Sequence, residues 1–456
     1  MRSVRSALAA LLLAGPLAAQ APGDTLALGL DDALAIARGA NPAVLRAENE
    51  LALDAPHARA TWLGQVVPQL TVNLLQTGYS GSLQRQATDF FGQPIENPES
   101  SWSYYSNTRQ GFSLNWRIQG RSFLDARERQ QQTSRGRALA LASADAALEA
   151  EVQGEYWNAL EQRQLLEVEE GLLEGRQRDL EAAERRYSLA RATRVDVLQA
   201  EYALEQQRAE IQSQRSAYEQ ALLTLRTTLG ELDLGAIRPN ERDLPVFDPA
   251  GLDEDALVSR ALGENPQVRS AEAGVDGARI GVSEATQWKW PELSIGYNWG
   301  QFSQTREAEA LFDVGYDADR MTSSFSVALS VPFFNNYFQN RYSESQARVA
   351  LQNQQESLKE TRLQAEWEVR SQLIQLRNQF ETLRLAERSL GIAEEALRLA
   401  REEYRIGTRT FEQLQDAVEQ EVGSRRQVIT SRFSFVDALI ALESAVGGSV
   451  RPATGG

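Results

Sequence analysis

The second half of the chain repeats the first, and this repeat constrains the fold more than any other feature of the sequence. Six apolar or aromatic residues spaced by seven positions recur 217 positions later. The two series are Val152, Ala159, Leu166, Leu173, Leu180 and Tyr187, and Val369, Leu376, Leu383, Leu390, Leu397 and Tyr404. The segments 32–42 and 68–72 also recur, in the same order, ahead of the second series. The sequence therefore predicts two halves with the same internal order of elements.

Each half is expected to begin with a short helix followed by a hairpin of two strands. The short helices are predicted from Ala43 to Val67 and from Gln267 to Trp290, each after an Asn-Pro pair that places proline in the first turn. Pro56 has no equivalent in the second half and predicts a kink or a later start. Four strands of about 8 to 10 residues are predicted from alternating apolar positions. These are Leu70, Val72 and Leu74; Phe112, Leu114, Trp116 and Ile118; Leu293, Ile295, Tyr297 and Trp299; and Phe325, Val327, Leu329 and Val331.

A long helix is expected after each hairpin. Residues 121–187 and 341–404 contain 67 and 64 residues without proline, and helices of this length span roughly 100 Å. Return helices are predicted over 195–229 and 411–446. Because a short helix and a return helix together contain about as many residues as one long helix, we expect them to stack end to end beside it. The seven-residue spacing predicts antiparallel coiled coils with a left-handed supercoil.

Composition excludes several kinds of site. The chain has no cysteine, which excludes disulfides and thiolate metal sites, and its single histidine is His57. The formal net charge of −16 opposes binding to nucleic acid. Paired acids such as Glu394 and Glu395 have the pattern of solvated helix faces, and the sequence has neither a phosphate loop nor a nucleophile elbow. We therefore expect no catalytic residues, no metal site and no cofactor.

The N-terminus has the pattern of a secretory signal peptide. Arg2 and Arg5 precede an apolar segment from Ala7 to Ala14, and small residues follow at 18, 19 and 21. The predicted segments are a signal peptide (1–21), an N-terminal segment with the first short helix (22–66), a first β-hairpin (67–120), helices of repeat 1 (121–230), a connecting segment (231–265), a second short helix (266–290), a second β-hairpin (291–335), helices of repeat 2 (336–447) and a tail (448–456).

The four strands have the length of strands that cross a bilayer in a closed barrel. A four-stranded sheet cannot close by itself, whereas three copies would supply twelve strands, so spanning would require a trimer. Aromatic residues are predicted at both ends of the strands, as in the girdles of such barrels. They are Tyr79, Trp102, Tyr104 and Tyr105 on the loop side, and Trp288, Trp290, Phe333, Phe334, Tyr337 and Phe338 on the helix side. The alternative is that these aromatics cover the core of a soluble sheet.

With these features the sequence resembles the TolC-like outer-membrane efflux protein family, over almost all of the chain after the signal peptide. The resemblance is carried by the paired openings 33–42 and 256–266, by Ser330 to Phe334, by Leu442 to Gly448, and by the segment from Tyr404 to Phe411. It implies a mainly α fold with β strands: a long antiparallel coiled-coil helical barrel joined to a transmembrane β-barrel formed by trimerisation. It also implies a passive exit duct in the outer membrane with a large periplasmic portion, in contact with outer-membrane lipid. Its partners would be a periplasmic adaptor, or membrane fusion protein, and an inner-membrane pump of the RND or ABC type.

The resemblance also implies site residues at the turns between long and return helices, where the family has its periplasmic entrance. Asp196, Tyr404 and Arg409 would form the periplasmic gate, and Gln413 and Asp416 stand where the family can carry acidic rings that favour cations. Because Gln413 is neutral, strong cation selectivity is not expected. From the residues alone, Asp196 is instead an ordinary helix N-cap and Arg409 a solvated arginine.

The tips of both turns are the surface that the resemblance assigns to adaptor docking. These tip residues are Leu189, Ala190, Arg191, Ile406, Gly407 and Thr408. Ala190 stands where the family usually has glycine, and a positive φ there would be strained. We therefore expect the first tip to be built differently from the second.

A rival interpretation without a pore is a periplasmic coiled-coil adaptor or tether. It explains the long helices but neither the four aromatic-rimmed strands nor the close match of the two halves. The sequence does not indicate whether the exported substrate is a drug, a metal ion or a polypeptide.

Overall fold

The computed structural model describes residues 26–85, 90–94, 100–190, 192–231, 237–240, 244–305, 319, 321–331 and 336–451. The predicted signal peptide lies outside these residues. The chain divides into two compact units. Unit 1 takes in residues within 1–49, 138–269 and 360–456, and unit 2 takes in residues within 50–137 and 270–359.

The described residues are mostly helical, with a smaller share of strand. The helices are α1 (Leu30–Ala40), α2 (Pro42–Ala52), α3 (Asp54–Val66), α4 (Ser122–Ser188), α5 (Arg194–Leu229), α6 (Glu254–Glu264), α7 (Pro266–Ala285), α8 (Tyr337–Ile406) and α9 (Phe411–Val446). The strands are β1 (Leu26–Leu28), β2 (Gln69–Arg85), β3 (Ser100–Gln119), β4 (Ile237–Pro239), β5 (Glu292–Thr305) and β6 (Met321–Ser330). Short 3-10 turns occur at Pro249–Gly251 and Gln287–Lys289.

The two long helices are present, with 67 residues in α4 and 70 in α8. The seven-residue apolar series supplies much of the core of unit 1, where Val152, Ala159, Val369 and Leu376 are fully buried. Among the described residues, no helix has a stretch that is both apolar enough and long enough to span a bilayer.

Pro56 lies in the first turn of a helix that starts later than the predicted short helix. The predicted first short helix is broken at Leu53, and α3 begins at Asp54 with Pro56 in its first turn, where the missing N–H removes no helical hydrogen bond. The second short helix runs without a break from Pro266 to Ala285.

The repeated Asn-Pro pairs form two equivalent joints in unit 1. The Asn41 side-chain oxygen accepts the Ala43 N–H at 2.8 Å, and its amide donates to the Thr228 carbonyl at the end of α5. Asn265 does the same for Gln267 and for Ala445 at the end of α9, both at 2.8 Å. Each asparagine therefore caps one helix and satisfies a free carbonyl of another.

Glycine is required where the return helices end against these joints. Gly230 and Gly447 end α5 and α9 with φ of 80° and 85°. A side chain on Gly230 would lie 2.7 Å from the Ala40 carbonyl oxygen, and one on Gly447 would lie 3.1 Å from the Asn265 backbone. The repeated glycines thus permit both the left-handed C-cap and the close approach.

A small parallel sheet, absent from the sequence prediction, lies in unit 1. Strand β1 pairs with β4, so the predicted connecting segment contains a strand. The buried Tyr156 hydroxyl accepts the Asn240 N–H at 2.9 Å and lies 3.0 Å from the Leu28 carbonyl oxygen. With only three residues each, these strands are too short to leave an alternating pattern.

Unit 2 contains an antiparallel sheet of four described strands in the order β2-β3-β5-β6. The predicted length of 8 to 10 residues is correct for β6, which has 10, and wrong for β2, β3 and β5, which have 17, 20 and 14. Tyr79, Trp102, Tyr104 and Tyr105 were predicted at the loop-side ends of the strands and lie instead within the longer strands β2 and β3. A β-bulge between Asn73 and Gln76 shifts the alternation by one residue, which hides the continuing strand from a period-two pattern.

The two faces of this sheet differ in chemistry. Cross-strand rows on one face join Leu70, Leu114, Tyr297 and Phe325, and join Trp116, Ile295 and Val327. The adjacent row on the other face joins Thr71, Ser113, Asn298 and Ser324. Leu70, Phe325, Val327 and Leu329 are each more than half exposed. The edges of the sheet are β2 and β6.

Candidate functional site

The turns that join long and return helices in unit 1 carry the predicted tip residues. Leu189 and Ile406 occupy equivalent positions and are 66% and 67% exposed. Ala190 has a φ of 52° and its counterpart Gly407 a φ of 85°. The prediction that the first tip differs from the second is therefore wrong at Ala190. This residue adopts the same left-handed conformation as Gly407, although a residue with a Cβ is strained there. Arg191 lies outside the described residues.

The helices that leave these turns begin with equivalent capping boxes. The Asp196 carboxylate accepts the Thr193 N–H at 2.7 Å, and the Thr193 hydroxyl accepts the Asp196 N–H in return. In the second repeat Gln413 accepts the Thr410 N–H at 3.1 Å, and the Thr410 hydroxyl accepts the Gln413 N–H. Asp196 and Gln413 are therefore the same capping position in two repeats. The alternative assignment of Asp196 as the helix N-cap is wrong by three residues, because Thr193 is the N-cap of α5 and Asp196 is the third helical residue, which completes the capping box.

The predicted gate residues have other partners within one chain. The Arg186 guanidinium lies 4.4 Å from the centre of the Tyr404 ring, and Arg409 pairs with Glu403 at 3.4 Å. Among the described residues, no hydrogen bond or ion pair joins Asp196 to Tyr404 or to Arg409. The gate stays a prediction for the assembled protein.

The predicted selectivity positions lie on the first turns of α9. Gln413 and Asp416 are both exposed. Gln413 is neutral and takes part in the capping box. Asp416 is therefore the acidic residue of the two.

A polar contact between the repeats lies farther along the same helices. Arg176 of α4 is 6% exposed and donates to the side chains of Gln415 and Glu419 on α9. Gln415 also donates to Asp179 at 3.3 Å. Burial raises the pKa of Asp179, although the hydrogen bond from Gln415 and the charge of Arg176 oppose this shift.

A second polar contact joins the same two helices. Glu169 of α4 is buried, accepts a hydrogen bond from Arg426 of α9 at 2.6 Å, and accepts another from Gln207 at 2.8 Å. The sequence analysis missed both Glu169 and Arg176. Comparing repeats could have found them, because the positions 217 residues later hold Ala386 and Ala393.

The predicted membrane-interface aromatics lie in unit 2. The Trp288 ring packs edge-on against Tyr337 at 5.7 Å, and Trp290 is half exposed beside Gly120. Phe333 and Phe334 lie outside the described residues.

A buried carboxylate near these aromatics gathers three cations. Glu344 is 3% exposed and pairs with Lys289 at 2.8 Å, Arg348 at 2.9 Å and Arg341 at 3.6 Å. Hydrogen bonds from Lys289 and Arg348 lower the pKa of Glu344 to about 2. Among the described residues, no group of three or more histidine or acidic side chains is arranged to hold a metal ion.

The chain is similar to known proteins over most of its length. The family described as outer membrane efflux protein matches residues 41–231 and 257–448. No curated protein sequence matches. CusC, whose crystal structures concern transmembrane channel formation, has a TM-score of 0.70 at 18% identity, with 95% of this chain and 96% of CusC covered.

Two further solved structures share the fold. The outer membrane protein VceC of Vibrio cholerae has a TM-score of 0.66 at 17% identity, covering 92% of this chain and 96% of that one. The open state of the Neisseria gonorrhoeae MtrE outer membrane channel has a TM-score of 0.67 at 20% identity, covering 94% and 91%. These similarities confirm the predicted mainly helical fold with a smaller share of sheet.

Proposed function

Because this chain belongs to the outer membrane efflux protein family, we propose that it forms a trimeric channel-tunnel of the outer membrane with a large periplasmic portion. It would be the passive exit duct of a tripartite efflux or type I secretion system. Its β-barrel would combine three copies of the four-stranded sheet, and its tunnel would be built from the long and return helices.

The observation that carries this proposal is the amphipathic sheet of unit 2. One face has continuous apolar rows, and the adjacent row of the other face has only small polar side chains. A sheet with an apolar face in lipid and a polar face toward water is the pattern of a membrane barrel wall. Its edges β2 and β6 need partners in lipid, because unpaired backbone groups there cost several kcal/mol each.

Unit 1 supports association with further copies. Trp157 of α4 is 2% exposed and lies in one cluster with Ile440 of α9. Their counterparts 217 residues away, Ile374 on α8 and Leu223 on α5, are 66% and 56% exposed. The positions of α4 and α9 that are buried between the two repeats of one chain therefore have exposed counterparts on α8 and α5. A second copy, placing its α5 against α8 of the first, would cover it.

The exposed surface of α8 continues toward the turn. Its apolar residues recur at seven-residue spacing and are half to almost three quarters exposed: Leu385, Ile392 and Leu399. Such a series is the usual seam of a coiled coil. Contact with another copy would remove it from water.

Membership of the same family supports the proposals for the periplasmic entrance and for the partner proteins. Asp196, Tyr404 and Arg409 would form the gate once three protomers bring their turns together. The exposed tips around Leu189 and Ile406 would dock the periplasmic adaptor, through which an inner-membrane pump delivers the substrate. With Gln413 neutral, only the Asp416 ring would contribute to cation preference.

Cell fractionation tests the proposed function. We expect the unboiled protein to migrate as a heat-labile trimer from outer-membrane fractions, and the purified trimer to give discrete current steps in planar bilayers. Recovery as a soluble periplasmic monomer would contradict the barrel and favour the tether without a pore.

A further inference from the structure

A buried carboxylate of unit 2 holds three partly exposed cations near the start of α8. The Glu344 side chain is 3% exposed, whereas those of its partners Lys289, Arg341 and Arg348 are 41%, 55% and 65% exposed. Among the described residues, none of these three cations is paired with another acid. The four residues, here called the cation cluster, therefore carry a formal net charge of +2, with the acid behind and the positive charges at the surface.

Burial of a carboxylate does not by itself require three cations, as a second buried acid of unit 2 shows. The Asp125 side chain is 1% exposed and accepts hydrogen bonds from Ser283 at 2.8 Å, from Gln287 at 2.9 Å and from Arg121 at 3.2 Å. One cation and two neutral donors are enough at that position. The cation cluster therefore holds more positive charge than its buried acid needs.

The cation cluster has no equivalent in the first repeat. Arg341, Glu344 and Arg348 are spaced by three and four positions, which places them on one face of α8. The positions 217 residues earlier, on α4, hold Leu124, Arg127 and Gln131. The excess of positive charge is therefore not required by the helical structure that the two repeats share.

The cation cluster follows the apolar face of the sheet and a pair of aromatic rings. The last cross-strand row of that face joins Ile118, Leu293 and Leu329. The Tyr337 ring packs edge-on against Trp288 at 5.7 Å, and the Lys289 ammonium lies 5.5 Å from the centre of the Trp288 ring. Apolar rows, aromatic rings and cations, in this order, match the hydrocarbon, the interface and the phosphate level of a bilayer.

A phosphate in a head group of net negative charge is the ligand that fits this cluster. Each guanidinium presents a fork of N–H donors that matches phosphate oxygens, and the ammonium of Lys289 adds a third positive charge. Because Glu344 already holds the three side chains together, less conformational entropy is lost when they bind a common ligand. A zwitterionic head group carries the same phosphate, but its own ammonium is repelled by the excess positive charge.

Resting on the proposed function, we propose that the cation cluster binds the phosphate of an anionic phospholipid in the periplasmic leaflet of the outer membrane. Each protomer would supply one site, and a trimer would supply three. Lys289 lies in the turn before β5, whereas Arg341 and Arg348 lie on α8. One bound lipid would therefore connect both elements and fix the height of the sheet in the bilayer.

Native mass spectrometry of the full-length trimer tests the site, with dioleoyl phosphatidylglycerol and dioleoyl phosphatidylcholine as probes. The original protein should retain three phosphatidylglycerol molecules after phosphatidylcholine has dissociated. Each cation removed near an anionic lipid should cost about fivefold in affinity. Arg341→Gln with Arg348→Gln should therefore weaken phosphatidylglycerol binding by at least about tenfold and remove the preference over phosphatidylcholine.

The matched control is Lys359→Gln. Lys359 lies on the same helix, is 69% exposed and pairs with Glu356 of that helix. This variant loses one cation outside the cluster and should bind phosphatidylglycerol as the original protein does. Equal binding by the double glutamine variant and by this control would overturn the site.

A charge-conserving variant distinguishes recognition by charge from a general loss of stability. Arg341→Lys with Arg348→Lys keeps both positive charges beside Glu344 but removes the forked donors. It should remain a heat-labile trimer and should keep the preference for phosphatidylglycerol, at lower affinity than the original protein. Loss of this preference would contradict recognition by charge.

Two competitors distinguish the source of the phosphate. A large excess of inorganic phosphate should not displace phosphatidylglycerol, and lipopolysaccharide should not be retained more tightly. Either result would overturn the assignment to a phospholipid of the periplasmic leaflet. An original protein that forms no trimer would contradict the proposed function, whereas a trimer without preference for phosphatidylglycerol would overturn this inference alone.

Discussion

Asp196 is already engaged in a helix cap within one protomer, and this decides how its role at the gate can be tested. Its carboxylate accepts the Thr193 N–H, so replacement by alanine removes a cap as well as a charge. Replacement by asparagine keeps a side-chain oxygen that can accept the same N–H. The pair of variants therefore separates capping from charge.

We expect Asp196→Ala to weaken the first turn of α5 by about 1 kcal/mol, seen as faster amide hydrogen exchange at 193–199. Asp196→Asn should leave this exchange almost unchanged. If the carboxylate also serves the gate, Asp196→Asn and Arg409→Ser should both raise single-channel conductance. Unchanged conductance in both would remove Asp196 and Arg409 from the gate.

Ala190 and Gly407 lie at equivalent positions of the two turns, so replacing each by the other residue tests the backbone strain at both tips. Their φ angles are 52° and 85°, a region that costs a residue with a Cβ about 1 to 2 kcal/mol. Ala190→Gly should therefore slow hydrogen exchange at the first tip, and Gly407→Ala should speed it at the second. A faster exchange in Ala190→Gly would contradict the strain at Ala190.

Glu344 predicts a pH dependence of stability. Its pKa falls from an ordinary 4.5 to about 2 in the folded protein, so the unfolded chain binds its proton first as pH falls. The stabilisation by Glu344 is therefore complete above about pH 4.5 and is lost as pH falls toward 2.

The measurement is the difference in unfolding midpoint between the original protein and Glu344→Gln. We expect a clear difference at pH 6 and a much smaller one at pH 2.5. Glu356→Gln is the matched control, because Glu356 lies on the same helix and is 77% exposed beside Lys359. A difference for Glu344→Gln that is constant across this range would contradict the lowered pKa.

At the scale of elements, the two Asn-Pro joints link the start of one helix to the end of another. Asn265 is buried and makes its two hydrogen bonds to Gln267 and Ala445. We expect Asn265→Ala to lower the free energy of unfolding by about 1 to 3 kcal/mol, because a cap is lost and a buried carbonyl is left without a partner. Asn265→Asp, which keeps the cap but sets a carboxylate oxygen against the Ala445 carbonyl oxygen in a buried site, should cost at least as much as alanine. Equal stability of Asn265→Ala and the original protein would remove this role.

The long and return helices could be predicted to within four residues, because their apolar series is long and is not interrupted by proline. The helices α1 and α6 were not predicted, and the second short helix ends at Ala285 rather than at Trp290. The sheet could be predicted only in part. Beyond the bulge after Asn73 the apolar positions change parity, and Trp102 and Tyr104 alternate with serine, a pattern that also occurs in loops. The three-residue strands β1 and β4 were missed because their pairing depends on the buried Tyr156 hydroxyl, 84 residues from Asn240.

The site was harder to predict than the fold, for a physical reason. The sequence indicates which residues lie near each turn, but polar side chains choose among several partners within reach. Tyr404 contacts Arg186 and Arg409 contacts Glu403, whereas the resemblance implies Asp196 for both. Glu169 and Arg176 were missed because a charged residue between the members of an apolar series resembles an ordinary surface position until it is compared with its counterpart, here Ala386 or Ala393.

At the scale of the whole molecule, the repeat supplies the geometry of assembly. The exposed Ile374 on α8 and Leu223 on α5 have counterparts, Trp157 and Ile440, that are buried between the repeats of one chain. Repeating that contact from copy to copy generates a closed ring if the rotation closes. The proposed assembly therefore contains three copies in a closed ring and does not continue as an open-ended chain.

Cross-linking in intact cells tests this claim most directly. Leu223→Cys with Ile374→Cys places one cysteine on α5 and one on α8, at the counterparts of Ile440 and Trp157, which share one core cluster. With a flexible bismaleimide, the account predicts covalent dimers and trimers in the outer-membrane fraction and nothing larger, and no product from either single variant. Monomers alone, or a ladder that continues beyond the trimer, would contradict it.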